Sequence, residues 1–149
     1  MFKKILYFLP TILLLLIYFF QSIHLGNQEQ TVVRVFDGDT IELDNGDRIR
    51  LLGVDAPEIG EPFSEEAKLA LEEMVLNKPV KLEKEPSLDK DKYGRFLRYF
   101  FSGERLVNCE MLRLGLAKNV VEHQSKYHYC FQLAEQEAME KKVGIWSSS

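Results

Sequence analysis

The chain has 149 residues, with 19 lysines and arginines against 23 aspartates and glutamates, which gives a formal net charge of −4. This length fits one domain that can bury a real hydrophobic core. Proteins that hold nucleic acids by their overall charge are usually basic, so the acidic balance argues against that class. If the chain handles phosphates, it must do so with a local cluster of side chains or a metal ion.

An uncharged apolar segment lies near the amino terminus. Residues 5–20 read ILYFLPTILLLLIYFF, and with residues 21–23 they would form a helix about 28 Å long, close to the thickness of a bilayer core. Lys3 and Lys4 precede the segment, no Lys or Arg follows before Arg34, and no A-x-A cleavage pattern is present. We therefore expect residues 1–25 to be an uncleaved signal-anchor that leaves the following domain outside the cytoplasm. The alternative is a cleaved signal peptide and a secreted domain.

After a short polar linker at residues 26–30, the pattern is that of a β-rich domain. Three strands are expected at about 31–36, 39–44 and 47–54, with the hairpin dipeptide Asn45–Gly46 between the second and the third. A helix is expected over 62–77, with Ser64 as its N-cap. Its apolar stripe consists of Phe63, Ala67, Leu71, Met74 and Val75. Two further strands, at 79–85 and 96–101, flank the turn D-K-Y-G-R at 91–95.

Two helices are expected to close the chain. The first begins at Asn108, taken as its cap, and ends near Gly115. The second is amphipathic, with Phe131, Leu133, Ala134, Ala138 and Met139 facing inward. Three strands, a helix, two strands and two helices predict an α+β fold. We expect a five-stranded OB-fold barrel with three helices, preceded by one N-terminal transmembrane or signal helix. Because that fold hosts many functions, function must be argued from the site.

Four carboxylates follow predicted neighbouring strands. Asp37 and Asp39 flank a glycine in D-G-D-T, and Asp55 and Glu58 enclose a proline in D-A-P-E. Hard cations such as Ca²⁺ bind several carboxylate and carbonyl oxygens. The proline biases Ala56 toward extended geometry, which leaves the Ala56 carbonyl free to face an ion. Taken singly, each motif is also compatible with a polar turn or the start of a loop.

Arginines accompany these acids. A guanidinium recognises phosphate oxygens with paired donors, so Arg50 and Arg95 are candidate phosphate ligands. Arg50 and Asp55 would point to opposite faces of an ideal strand, so a local bend is needed to bring them together. Acids, a metal ion and arginines together are the equipment of phosphodiester hydrolysis.

Five segments, in order, carry a resemblance to a known family. They are VFDGDTIEL, RIRLLGVDAPE, DKYGR, LVNCEMLRLGLAK and the terminal GIW. In order and spacing, the chain resembles the staphylococcal nuclease (thermonuclease) family over about residues 31–147. The resemblance implies a Ca²⁺-dependent nuclease that cleaves DNA and RNA with little sequence preference and leaves 3′-phosphates.

The resemblance also implies roles for individual residues. Asp39, Asp55 and the Ala56 carbonyl match the direct calcium ligands, and Asp37 and Glu58 reach the ion through water. Glu58 matches the carboxylate that orients or deprotonates the attacking water. Arg50 and Arg95 match the arginines that bind the phosphate in the transition state, and Lys92 and Tyr93 match residues that contact a terminal phosphate. We expect a monomer whose partners are DNA, RNA and, through its N-terminal helix, a membrane.

Two positions depart from the family pattern. The best-known member has two tyrosines that stack on the nucleotide base, where this chain has Val121 and His123. Tyr127 and Tyr129 are candidates to replace them. Because stacking contributes about 1–3 kcal/mol per base, weaker substrate binding is expected.

Two other features bear on the interpretation. Cys109 and Cys130 can pair if the domain is exported, since export favours disulfides. The alternative to an enzyme is a non-catalytic OB-fold module that binds nucleic acid or a protein. Such modules typically lose the acids or the arginines, and this chain keeps them.

Overall fold

The structure is a computed structural model that describes residues 12–18, 29–121 and 125–147. Residues 12–18 form helix α1, whose side chains are all exposed. Most of the predicted signal-anchor and its linker lies outside the described residues. Among the residues described, no helix has both the length and the apolar character needed to cross a bilayer.

The rest of the described chain has the five predicted main strands and the three predicted helices in the expected order, with three additional two-residue strands at 54–55, 105–106 and 118–119. The strands are β1 (Gln30–Val35), β2 (Thr40–Leu43), β3 (Arg48–Leu51), β4 (Val54–Asp55), β5 (Pro79–Glu83), β6 (Phe96–Ser102), β7 (Arg105–Leu106) and β8 (Lys118–Asn119). The helices are α2 (Ser64–Val75), α3 (Val107–Arg113) and α4 (His128–Lys141), followed by a 3₁₀ turn at Gly144–Trp146.

Five of the strands close into a barrel. β1 pairs with β2 and β2 with β3, both antiparallel, and β3 then pairs in parallel with β6. The circle closes through the antiparallel pairs β6–β5 and β5–β1. This closed barrel with its helices confirms the predicted α+β, OB-type domain.

The third strand is shorter than predicted, because the chain bends at Gly53. Its φ of +73° lies in the left-handed region that favours glycine. A Cβ at this position would lie 2.6 Å from the Phe131 ring and 2.8 Å from Val121. The predicted strand 47–54 is therefore two strands, β3 in the barrel and β4, which pairs with β8 in a separate small sheet. The bend redirects the residues that follow Val54 toward the end of the barrel.

Helix α2 has the predicted buried stripe but a different start. Ala67, Leu71 and Val75 are buried, as the helical spacing predicted. Ser64 was wrong as the N-cap, since it is the first helical residue and Phe63 precedes it with a φ of +69°. The Ser64 hydroxyl accepts a hydrogen bond from the Gly60 N–H, at 3.3 Å. It thus stabilises the preceding loop, and not the helix end.

Asn108 does not cap α3, contrary to the prediction. It lies inside the helix, fully buried, and its side chain joins two other parts of the fold. Its Oδ1 accepts a hydrogen bond from the Phe100 N–H at 2.8 Å. Its Nδ2 donates to the Leu52 carbonyl at 2.9 Å. Asn108 therefore ties α3 to β6 and to the bend that precedes β4.

Helix α4 buries a narrower face than its sequence predicted. Phe131, Ala134 and Ala138 are buried as expected, but Leu133 is 66% exposed and Met139 is 43% exposed, so these two assignments were wrong. The buried residues form a single stripe at three- and four-residue spacing, because α4 packs on the rest of the domain along one side.

A disulfide joins Cys109 in α3 to Cys130 in α4, with a Cα–Cα distance of 6.2 Å. The predicted pairing is therefore present in the structure. The two helices that close the domain are covalently linked as well as packed.

Candidate active site

A cleft of about 420 Å³ opens at one end of the barrel and gathers most of the predicted site residues. Its walls come from the β1–β2 turn, from β3, from the segment after β4 and from the turn before β6. The lining residues are Asp37, Asp39, Arg48, Arg50, Ala56, Pro57, Glu58, Tyr93, Gly94 and Arg95. Segments far apart in sequence thus converge on one polar cavity.

The acidic turn between β1 and β2 forms the floor of the cleft. Asp39 is only 2% exposed, and its backbone N–H donates to Asp37 Oδ1 at 3.0 Å. A Cβ on Gly38 would lie 2.6 Å from the Ala67 Cβ and 2.7 Å from the Ala56 Cβ. The glycine therefore lets the turn pack directly on α2 and on the segment that contains Ala56.

Arg50 bridges the two acidic motifs. Its guanidinium donates to Asp39 Oδ1 and to Asp55 Oδ1, each at 2.6 Å. The Ala56 N–H donates to the other oxygen of Asp39, at 3.1 Å. The bend at Gly53 makes this possible, since Arg50 and Asp55 would otherwise point to opposite faces. Asp55 does not line the cleft and reaches the site through Arg50.

Arg95 is held by Asp91, a residue that the sequence reasoning missed. Asp91 Oδ2 accepts from Arg95 Nε at 2.6 Å. Asp91 Oδ1 accepts the backbone N–H of Tyr93 at 2.8 Å and of Arg95 at 3.0 Å. Partial burial by itself raises the Asp91 pKa, but the bonds from Arg95 and Tyr93 hold it below its usual value. The signal in the sequence was an Asp at the start of a glycine-containing turn, which often accepts backbone N–H groups two residues on.

Thr40 connects Arg50 to Arg95. The sequence reasoning also missed this role of Thr40. Arg95 donates to the Thr40 hydroxyl at 3.2 Å, and that hydroxyl donates to Asp39 Oδ1 at 2.8 Å. Asp39 Oδ1 in turn accepts from Arg50. Both guanidinium groups are therefore fixed in one hydrogen-bonded chain at the mouth of the barrel.

Tyr93 and Lys92 lie at the rim. Tyr93 lines the cleft and is 72% exposed. The Lys92 ammonium lies 4.9 Å from the centre of its ring, and the Arg95 guanidinium lies 5.4 Å from it. Lys92 does not line the cleft and is near it through its contact with this tyrosine.

Burial perturbs the ionisation of the Asp39 carboxyl. It raises the pKa of the Asp39 carboxyl to about 6, Arg50 opposes that rise and Asp37 adds to it. The shift means that Arg50 alone does not fully offset the cost of a buried negative charge at this position. An additional cation in the cleft would stabilise the ionised carboxylate.

The residues present suit a calcium ion by their chemistry. Across the described parts of the chain, no group of three or more His, Cys, Asp or Glu side chains is clustered closely enough to hold a metal. However, Asp37, Asp39, Ala56 and Glu58 all line one cleft. Their carboxylate and carbonyl oxygens are the donors that Ca²⁺ prefers, with water completing the shell.

The region after β8 differs from the family pattern. Val121 is half-buried against the core and borders a second cavity of about 240 Å³. Tyr127 packs edge-on against Tyr99, with ring centres 4.7 Å apart, and its hydroxyl donates to Glu83 at 2.9 Å. The Tyr127 side chain is therefore part of the core packing. Tyr129 is exposed and lies against His128, and His123 lies outside the described residues.

Glu83 is held in place at the end of β5. Burial by itself raises its pKa, but the bonds from Lys126 and Tyr127 outweigh burial and hold the pKa below its usual value. The Glu83 carboxylate therefore links the barrel to the chain just before α4.

Comparison with known proteins agrees with the geometry. Residues 48–148 match the family described as staphylococcal nuclease homologue. The thermonuclease of Staphylococcus intermedius is 34% identical over 137 residues, which is 84% of this chain and 80% of the relative. Endonuclease YncB of Bacillus subtilis is 38% identical over 141 residues, 85% of this chain and 67% of the relative. The thermonuclease of Staphylococcus hyicus is 34% identical over 142 residues, which is 87% of this chain and 83% of the relative. Because the family model matches most of the domain and these relatives are 34–38% identical over two thirds or more of their own length, the chain belongs to the staphylococcal nuclease family.

Proposed function

We propose that the protein is a Ca²⁺-dependent nuclease that hydrolyses DNA and RNA with little sequence preference and leaves 3′-phosphates. Family membership supports a nuclease function, and the relatives named above are a thermonuclease or an endonuclease. The observation that carries the proposal is that Glu58, Arg50 and Arg95 line the same cleft. Little sequence preference agrees with a cleft that offers charged groups for phosphates.

In the proposed reaction, Glu58 acts on water. Its exposed carboxylate takes a proton from a water molecule, whose oxygen attacks the phosphorus. The bond from phosphorus to the 5′ oxygen breaks, and that oxygen leaves and takes up a proton from solvent. The phosphate stays on the 3′ oxygen. Glu58 then returns its proton to solvent, so protons balance over the cycle.

Arg50 and Arg95 stabilise the charge that grows on the phosphoryl oxygens. Their positions are already fixed by Asp39, by Asp91 and by Thr40, so little reorganisation is needed when the substrate binds. Preorganised donors of this kind often contribute a factor of about 10²–10³ each. Each guanidinium has five N–H donors, so phosphate oxygens can bind those that Asp39, Asp55 and Asp91 leave open.

Calcium would be held by Asp39, Asp55, the Ala56 carbonyl and, through water, by Asp37 and Glu58. When bound, the ion supplies positive charge next to the phosphate that is attacked. Asp55 Oδ1 is paired with Arg50, and the second carboxylate oxygen of Asp55 could bind the ion. Lys92 and Tyr93, at the rim, would contact a terminal phosphate of the substrate.

Digestion of nucleic acid tests this function directly. Purified full-length chain is incubated with single-stranded DNA and with RNA, in Ca²⁺ and in excess chelator. Cleavage in Ca²⁺ and none in chelator is expected. DNA product ends should resist extension by a polymerase until a phosphatase removes their 3′-phosphate. A folded chain that binds these substrates without cleaving them would favour the non-catalytic binding module.

We also propose that residues 1–25 anchor the protein in a membrane, with the catalytic domain outside the cytoplasm and monomeric. The uncharged segment after Lys3 and Lys4 supports this, and so does the exposed apolar surface of α1. Cell fractionation followed by mass spectrometry of the intact chain is the test. A soluble form that begins between residues 21 and 30 would contradict the anchor and would favour secretion.

A further inference from the structure

A pair of arginines and a phenylalanine lie beside the cleft on the outer face of the barrel. Arg34 in β1 is paired across the sheet with Glu42 in β2, and Glu42 is paired with Arg48 in β3. Phe36 follows Arg34 by two residues, so both side chains lie on the same face. We call Arg34, Phe36 and Arg48 the arginine row.

The row runs outward from the reacting groups. Arg48 and Arg50 are two residues apart on β3, so they share a face and their Cα atoms lie about 6.8 Å apart. Arg48 also lines the cleft itself. Arg34 lies further out, on the far side of Glu42. A strand of nucleic acid that leaves the cleft in this direction passes over Arg48 first and Arg34 next.

Phe36 holds the two guanidinium groups. The Arg48 guanidinium carbon lies 4.7 Å from the centre of the Phe36 ring, and that of Arg34 lies 5.5 Å from it. Both distances are within the range of a cation–π interaction. The ring restrains the long arginine side chains and reduces the entropy that they lose when a ligand binds.

Arg48 differs from the other arginines of the cleft in its charge partners. Arg50 and Arg95 are each paired with a carboxylate at 2.6 Å. In the described part of the chain, Arg48 has no ion pair and is exposed. Arg34 has a loose one, 3.7 Å from Glu42. In a chain with a net charge of −4, Arg48 is thus a cation beside the cleft whose donors remain available to a ligand.

We propose that the arginine row is an extended binding site for the backbone phosphates of a single-stranded nucleic acid. Arg48 binds the phosphate next to the scissile one, and Arg34 binds the phosphate after that. Glu42, which faces both arginines, weakens the interaction. The proposal rests on the proposed nuclease function, because it assigns the direction in which the substrate extends from the reacting groups.

Substrate length separates this role from a role in the reaction itself. A dinucleotide has one phosphodiester and cannot place a second phosphate on Arg48, whereas an oligonucleotide of about eight nucleotides can. Arg48→Gln should raise KM on the oligonucleotide about 3- to 10-fold, with kcat within about twofold. The rise in KM should be several-fold smaller on the dinucleotide. The slope of log KM against log salt should fall by about 0.7 for the lost phosphate contact.

Two further variants sharpen the experiment. Arg105→Gln is the matched control, because Arg105 is an exposed arginine on β7, outside the residues that line the cleft. It should leave KM, kcat and the salt slope as in the unmodified chain. Glu42→Gln removes the carboxylate that opposes the row, so it should lower KM on the oligonucleotide and act in the opposite direction to Arg48→Gln.

The outcomes are distinguishable from a failure of the proposed function. If Arg48→Gln raises KM equally on the dinucleotide and the oligonucleotide, or lowers kcat alone, the arginine row is not an extended binding site. Either result leaves the nuclease function in place. If the unmodified chain cleaves neither substrate, the nuclease function fails. Binding of the labelled oligonucleotide in chelator, measured by fluorescence anisotropy, then tests the arginine row independently of cleavage. Weaker binding by Arg48→Gln than by Arg105→Gln supports it, and equal binding overturns it.

Discussion

Replacing the buried Asn108 by alanine should destabilise the domain strongly. Its side chain bonds the Phe100 N–H at 2.8 Å and the Leu52 carbonyl at 2.9 Å. It also donates to the Arg98 carbonyl at 3.4 Å, but that carbonyl accepts from the Leu52 N–H as well. Asn108 is fully buried, so Asn108→Ala leaves the Phe100 N–H and the Leu52 carbonyl without a partner and without free access to water. Alanine keeps the helix, since its helix propensity is higher than that of asparagine.

The magnitude follows from the two orphaned groups. Each buried polar group left unsatisfied costs about 1–3 kcal/mol, so the free energy of unfolding should fall by roughly 2–6 kcal/mol. Urea denaturation measures this loss. With a slope of about 2 kcal/mol per molar urea, in the middle of the range for small proteins, the midpoint should fall by about 1–3 M.

Gln132→Ala is the matched control, because Gln132 lies on the exposed surface of α4. It should change the free energy of unfolding by less than about 0.5 kcal/mol. If Asn108→Ala cost no more than this control, another group or a water molecule would have to satisfy the Leu52 carbonyl and the Phe100 N–H. The assignment of Asn108 as the link between α3 and the barrel would then be wrong.

Other predictions concern pH, the disulfide and base binding. Because the pKa of Glu83 is lower in the folded protein than its ordinary value of 4.5, the unfolded chain binds more protons near that pH, and stability falls as the pH drops through the folded pKa. Glu83→Gln should reduce this acid-dependent loss, measured as urea midpoints at pH 6 and pH 3; an unaltered difference would exclude Glu83 as its source. Reduction of the disulfide between Cys109 and Cys130, which closes a loop of 21 residues, should cost about 3 kcal/mol, and an equal midpoint before and after reduction would contradict that. Val121→Tyr combined with His123→Tyr should lower KM on single-stranded DNA about tenfold, if one stacked base is recovered; an unchanged KM would mean that other residues hold the base.

The barrel could be predicted because its signals are local. The alternating strands, the Asn45–Gly46 turn and the helical stripe of α2 each follow from a few adjacent residues. The bend at Gly53 could not, because a glycine within an apolar strand fits both a bend and an uninterrupted strand. In the folded protein, a residue larger than glycine is excluded here by Phe131, whose ring occupies the space where a Cβ at position 53 would lie. Phe131 is distant in sequence, so no local pattern reports that contact.

In the candidate site, too, some residues could be predicted from the sequence and others could not. The acids and the arginines could be named from the resemblance and from their chemistry, and the structure brings most of them to one cleft. The supporting residues could not, because a threonine such as Thr40 or an aspartate such as Asp91 has many roles in other sequences. Arg48 could be proposed as a phosphate ligand only from the structure, in which its guanidinium lies over the Phe36 ring beside the cleft.

The positions in α4 that were wrong have a related cause. Leu133 and Met139 are apolar, and an apolar residue on an amphipathic helix is normally expected to face the core. The width of the buried face depends on how many neighbours the helix has, and α4 packs along one side. Helical periodicity gives the direction of a face more reliably than its width.

The central claim is that Glu58 activates water for phosphodiester hydrolysis in this cleft. The most direct measurement is kcat of Glu58→Gln on single-stranded DNA in saturating Ca²⁺, beside Glu65→Gln, which alters an exposed glutamate in the first turn of α2. Glutamine keeps the size of the side chain but cannot take a proton from water. We expect kcat to fall by a factor of about 10²–10⁴ for Glu58→Gln and to stay unchanged for Glu65→Gln. A Glu58→Gln chain that cleaves DNA as fast as the unmodified chain would contradict the account.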